Sequence, residues 1–369
     1  GEAAGGEVAG VGGGGLTLRL DHNALSAAGV AALRRLLPSG CTVAAHFQQP
    51  RCVFVCDLCK AHFCAQPSTI YALAASADGQ SAFLALAGGA LLRTRLHAWA
   101  LDGRLDGHTD DVNCVEVRSG HVISGSDDRT VRVWRADGAG QEACVATLEG
   151  HTARVWCTLT TPTHIYSASA DNSVCVWDAA AAFEGEARLV TRLERHTDTV
   201  YALAAADGAV FSGSADKSIR QWDAAEHSQL LCWQAHDAAI TCLVYAERAE
   251  LLCSGAEDGR VRLWRVADGA AVCVTTLKAG YDAPKAATMY SLAVEPIAGQ
   301  VLCAGGSDGV VQMWDLRSHM LLHVLSGHSA STVRALCFMA DGTLCSAGGD
   351  SKFLKWQVPL FEGEAVSLG

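Results

Sequence analysis

The chain has 369 residues, half of them apolar, and a net charge of −11. That content suffices for a large packed core and excludes wholesale disorder, and no run of about 18 apolar residues offers a membrane-spanning helix. The acidic total shows no basic stripe of the kind that displaces counterions from phosphate, so no nucleic-acid partner is expected.

The first residues lack the basic start and apolar block of a secretory signal. Sixteen cysteines first suggest disulfides. Many stand singly in apolar, strand-like segments (Cys114, Cys157, Cys175, Cys242, Cys253, Cys303, Cys345). There cysteine acts as a small buried hydrophobe. Reduced thiols and a cytoplasmic or nuclear compartment are expected.

Residues 1–15 hold only Gly, Ala, Glu and Val. They bury too little to offset their ordering entropy and are predicted to be disordered. Residues 16–37 alternate like a strand, then take helical spacing, with Ser26 as an N-cap. Leu18-x-Leu20-x-x-Asn23-x-Leu25 resembles one leucine-rich repeat. A solenoid needs roughly three. Residues 16–50 therefore read as a strand-helix extension with its linker, or as the last repeat of an array lying upstream.

Cys56-x-x-Cys59, with Cys41, Cys52 and Cys64 and with His46 and His62 nearby, invites a zinc reading. The later repeats argue against it. His151, His196 and His328 each follow apolar residues three and six places earlier, and counting back from His62 lands on Cys59 and Cys56. These cysteines are read as strand residues and no metal is expected.

From residue 70 a segment recurs, most cleanly at Ser124–Trp134: a short strand, a polar turn, and a β-branched strand closing on tryptophan. The tryptophans are Trp134, Trp177, Trp222, Trp264, Trp314 and Trp356, spaced by 43, 45, 42, 50 and 42 residues. A period in the low forties means a stacked repeat. In the template unit, Val112–Val117, His121–Ser126, Thr130–Trp134 and Cys144–Leu148 read as four strands. First strands begin at Ile70, Val112, Val155, Val200, Ile240, Met289 and Val333. The last unit lacks a fourth strand, and Arg51–Leu58 is a strand without a unit, so the two are expected to pair and clasp the chain ends. No helix is needed in the ring.

These features resemble the WD-repeat β-propeller family over residues 51–360, with 361–369 as a tail. The resemblance implies an all-β fold: a seven-bladed β-propeller of four-stranded antiparallel blades with a short N-terminal flexible or helical extension. It also implies a buried hydrogen-bonded set in each blade. The matching residues are His108/Ser124/Asp128/Trp134, His151/Ser167/Asp171/Trp177, His196/Ser212/Asp216/Trp222, His236/Ser254/Asp258/Trp264 and His328/Ser346/Asp350/Trp356. Ser, His and Asp together also spell nucleophilic catalysis. A triad occurs once, however, and this set recurs five times with a tryptophan attached. It reads as scaffold, and no enzyme activity or cofactor is expected.

Two units depart from the pattern. The sixth has Ala304 for serine, Gly280-Tyr281 for Gly-His, and an insertion at 279–288 that is a candidate contact loop. The first has Gly88-Gly89-Ala90 for the acidic turn and no tryptophan.

In the family, the residue after each first-strand aliphatic points into the top mouth of the channel. Here these are Tyr71, Asn113, Trp156, Tyr201, Thr241, Tyr290 and Arg334, with Asp111 and Arg154 just before their aliphatics. Aromatics and arginines dominate binding hot spots, so a protein or peptide partner is expected at this face. The alternative is packing between blades. Asp308, Trp314, Asp315 and Arg317 resemble the DWD box by which substrate receptors of cullin–RING ubiquitin ligases dock a propeller adaptor. The expected function is a protein-interaction scaffold, such as such a receptor, or else a structural subunit of a large ciliary, ribosomal or RNA-processing assembly.

Overall fold

The computed structural model describes residues 68–95, 100–138, 143–206, 208–267, 269–277, 287–328 and 331–357, and three further strands, Thr17–Arg19, Thr42–Ala44 and Arg51–Asp57. The expectations for residues 1–15, the 25–37 helix, the 279–286 insertion, Gly280-Tyr281, the 361–369 tail, and Cys41, Cys59 and Cys64 lie outside these residues. Thr17–Arg19 and Thr42–Ala44 pair in parallel.

The second repeat shows why the sequence folds as it does. Val112–Arg118 and His121–Ser126 are joined by Ser119-Gly120, both at positive φ (50° and 75°). A two-residue loop of that hand matches the twist of an antiparallel hairpin. Thr130–Arg135 returns with Val131, Val133 and Trp134 fully buried, and Cys144–Glu149 closes the sheet. Each of seven sheets has four strands of this kind. The blades span residues 70–105, 112–149, 155–193, 200–234, 240–277, 289–326 and 333–357. The seventh is completed by Arg51–Asp57, which lies beside Lys352–Gln357 in the strand order. The chain is thus an all-β, seven-bladed propeller whose last blade takes its outer strand from far upstream.

The innermost strands of successive blades contact one another in a closed cycle, the seventh against the first. Cores form between blades rather than within them. Leu84, Leu86 and Leu92 of the first blade pack with Met339, Cys345 and Phe353 of the seventh. Ile123, Val131 and Leu148 of the second pack with Ile165 and Trp177 of the third.

One expectation fails. The ring contains a five-residue helix, Ala179–Phe183, between the third and fourth strands of the third blade. Asp178 caps it by accepting the Ala181 N–H at 3.1 Å, and Ala179 and Ala182 are buried. An N-cap aspartate before four alanines combines a favoured cap with the residue of highest helix propensity.

Candidate functional site at the top mouth

The five polar sets assemble with nearly identical geometry. The indole N–H groups of Trp134, Trp177, Trp222, Trp264 and Trp356 donate at 2.8–2.9 Å to the hydroxyl oxygens of Ser124, Ser167, Ser212, Ser254 and Ser346 respectively. The same oxygens lie 2.7–2.8 Å from Nε2 of His108, His151, His196, His236 and His328. Histidine Nδ1 in turn lies 2.7–3.1 Å from Asp128, Asp171, Asp216, Asp258 and Asp350. One assignment satisfies every histidine nitrogen and serine hydroxyl: Nδ1–H donates to the carboxylate and the serine hydroxyl donates to Nε2.

Asp258 differs in detail from the other four. Its two oxygens straddle His236 Nδ1 at 3.1 and 3.3 Å; its arginine neighbour, Arg262 at 4.0 Å, has a counterpart in Arg192, 3.4 Å from Asp171. Burial alone would raise the carboxyls of Asp128, Asp171, Asp216 and Asp350, but their histidine, hydroxyl and amide donors outweigh it and hold them below the usual range. Desolvation holds His108 and His236 low, against their aspartates. Ser124, Ser167, Ser212, Ser254 and Ser346 are completely buried, so none presents a nucleophile to solvent. These sets hold their five blades together, with their serines closed to solvent.

The aspartates also fix the tight turn before the third strand. Asp128 accepts the Thr130 N–H at 2.9 Å and the Thr130 hydroxyl at 2.7 Å. The next residue is left-handed in every such turn: Arg129, Asn172, Lys217, Gly259, Gly309 and Ser351. In the first blade Gly89 takes this place. There Leu84 fills the serine column and the buried Thr94 the tryptophan column. Apolar packing thus replaces the polar set in that blade.

The seven residues expected at the mouth share one backbone feature. The ladder between first and second strands shifts register once in each blade, after Ile70, Val112, Val155, Val200, Ile240, Met289 and Val333. The skipped residues are Tyr71, Asn113, Trp156, Tyr201, Thr241, Tyr290 and Arg334. A bulge leaves one residue out of the ladder and re-aims its side chain. These side chains are half-buried.

They also touch across blades. Tyr71 donates to Asp111 Oδ2 at 3.0 Å, and Asp111 accepts the Gly88 N–H at 2.8 Å. Asn113 donates to Asp127 Oδ1 at 2.6 Å and to the Val155 carbonyl at 3.0 Å. Exposed Arg154 pairs with Asp127 at 3.3 Å. Trp156 and Tyr201 meet edge to face at 5.4 Å. The Thr241 hydroxyl donates to the Met289 carbonyl. Arg334 lies 4.5 Å over the Tyr290 ring and 5.5 Å over Tyr71, at cation–π range. Burial and then Asp111 raise the Tyr71 phenol; burial and then Glu257 and Asp198 raise that of Tyr201. Each mouth residue therefore both packs against a neighbour and keeps an open side. Trp156 adds a buried indole N–H with no hydrogen-bond partner.

Sequence reasoning missed Asp127 and Glu257. Their signal was available: the column just before each turn aspartate holds acid in these two blades and Ala170, Ala215, Ser307 or Gly349 in others.

The DWD-like residues lie on the sixth blade, along and beside its third strand. Trp314 is buried inside its blade. Asp308 and Arg317 flank opposite ends of the strand Val310–Asp315. Asp315 accepts the Arg317 N–H at 2.8 Å and the Ser318 hydroxyl at 2.9 Å, while the Arg317 side chain is exposed.

Among the described residues no helix is long and apolar enough to cross a membrane. A search of curated proteins finds no match. The family described as WD domain, G-beta repeat matches residues 99–135, 142–178, 187–223, 227–265 and 320–357, just over half of the chain. Propellers of this kind are in general interaction scaffolds for proteins and peptides, and typically not catalytic. Matched repeats, seven four-stranded sheets and the recurrent His–Ser–Asp–Trp sets agree: the chain belongs to the WD40 repeat family.

Proposed function

We propose that the chain is a non-enzymatic interaction scaffold whose top mouth holds an extended peptide segment. One observation carries this reading: the unpartnered, buried indole N–H of Trp156, set against Tyr201 on a bulged strand. A buried donor without a partner costs about 1–3 kcal/mol, which a ligand carbonyl accepting from it would recover. The eleven described cysteines are all free, which supports a reducing, cytoplasmic or nuclear setting.

Affinity purification with mass spectrometry, comparing the wild type with Trp156→Ala/Tyr201→Ala, tests it. Partner capture is expected to fall at least about thirtyfold, the effect of one hot spot of roughly 2 kcal/mol. Both rings are half-buried, so the melting temperature is expected to drop by a few degrees. Equal partner recovery from both chains refutes the reading.

Exposed Arg317 beside an anchored Asp315 favours a sharper version, the substrate receptor of a cullin–RING ubiquitin ligase. Arg317→Ala is then expected to lose co-purification of the propeller adaptor without any change in melting temperature. An adaptor retained by Arg317→Ala removes this version. In the alternative, a structural subunit of a large assembly, the native protein elutes from gel filtration only at high mass.

A further inference from the structure

At the opposite end of the same inner strands lies a second cavity, of about 920 Å³. Its walls are about half apolar, with Leu159, Leu203, Leu243, Val244 and the Tyr245 ring forming that part, and half polar. Glu116 projects into it from the inner strand of the second blade, and Thr160 from that of the third. Glu116 Oε2 is buried and has no hydrogen-bond partner. Thr160 is 5% exposed, and its hydroxyl is equally without a partner. Thr158, two residues back on the same strand face, repeats this. Among the described residues Glu116 has no ion pair within 4.0 Å, and Arg118, which lines the same cavity, is exposed. Glu247 and Glu250 add negative charge to the lining.

We propose that this cavity is a binding site for an alkylammonium group, either a free aliphatic amine or the end of a lysine side chain. A charge taken out of water is tolerated when it is paired and hydrogen-bonded, and this one has no ion-pair partner and a hydrogen-bond-free Oε2, with Thr160 as its nearest donor. A compact ammonium has three donors, enough for Glu116 Oε2 and the Thr160 hydroxyl together. The apolar part of the walls suits its methylene stem, the arrangement common to small-ligand sites. Desolvation in this lining also disfavours the carboxylate. Burial pushes Glu116 up to about 7, offset in part by the nearby Thr160 and by Arg118. The other titratable neighbours are the buried Cys114 and half-buried Cys157 thiols, raised by desolvation, the Tyr245 phenol, raised by burial and then by Glu250 and Glu247, and those two carboxylates. A bound cation needs the ionised form, so affinity rises with pH through about 7.

The test is a titration of the full chain with isotope-labelled leucine and valine methyl groups, followed by NMR. The probes are cadaverine, the peptide acetyl-Ala-Ala-Lys-Ala-Ala-amide, and neutral pentanediol. Cadaverine is expected to give saturable shifts at Leu159, Leu203 and Leu243, more tightly at about pH 8 than at about pH 6. Glu116→Gln is expected to weaken it at least tenfold, about 1.4 kcal/mol. Thr160→Val, which keeps the shape, is expected to weaken it less. Shifts with the peptide as well identify a lysine side chain as the source; shifts with cadaverine alone identify a free amine. If neither amine saturates, or if pentanediol binds as well as cadaverine and Glu116→Gln changes nothing, the proposal is wrong.

Discussion

A chain that starts after Asp57 is expected to lose its single cooperative unfolding transition, whereas one that starts at Arg51 keeps it. The difference is one strand. Arg51–Asp57 supplies the outer strand of the seventh blade, next to Lys352–Gln357. Without it, that blade has three strands and an open edge. Backbone hydrogen bonds of about 0.5–1.5 kcal/mol each are lost along seven residues, a total of several kcal/mol. A domain's whole margin is about 5–15 kcal/mol. The damage also spreads, because the seventh blade shares its core with the first through Leu84, Met339 and Phe353. An exposed edge is in addition a template for pairing with other chains. Circular dichroism melts with light scattering measure both effects. A shortened chain that melts like the full one without aggregating overturns the clasp.

Trp177→Ala is expected to cost about 3–5 kcal/mol, the range for removing a large aromatic from a core. Trp177 is 1% exposed and lies in the core between the second and third blades, with Ile123, Val131 and Leu148. Gly150 packs so closely on its indole that a Cβ there would meet the ring at 2.8 Å. Its N–H donates to Ser167 at 2.9 Å, and that serine also serves His151. Trp177→Phe keeps most of the ring volume and removes that donor, for an expected loss of about 1–2 kcal/mol. The sixth blade is an internal control. Ala304 stands there in place of the serine, so Trp314→Phe is expected to cost less than Trp177→Phe. Urea melts give each value, and equal costs in the two blades would show that the serine contributes nothing.

The architecture was legible because it is written several times over. Six tryptophans at a near-constant interval, and five His–Ser–Asp sets in step with them, fix the blade number and the strand order. Even the less regular pair, Asp258 with Ser254, kept its place in the count although its carboxylate is shared with Arg262. The clasp was legible as an unmatched strand at one end and a missing one at the other. What repeats cannot reveal is anything that happens once. The helix Ala179–Phe183 occurs in a single blade, although its Asp178 cap and alanine run were local signals strong enough to find it. Glu116 reads in sequence as a polar residue on a solvent face of an alternating strand. Only the packed ring sets Thr160 and Leu159 of the next blade beside it. The burial of Trp156 was hidden for the same reason, since its neighbour Tyr201 lies in the next blade.

The bulges escaped the sequence differently, because alternation looks the same on either side of a one-residue slip. Their consequence reaches beyond this ligand or that. A residue left out of the ladder leaves the pairing of its neighbours to other positions, and five of the residues at these places are chemically distinct: Tyr, Asn, Trp, Thr and Arg. Each blade therefore contributes one letter that can change while the spelling of the frame stays fixed. The seven positions spell a word on a ring whose hydrogen-bonded frame is built from other residues.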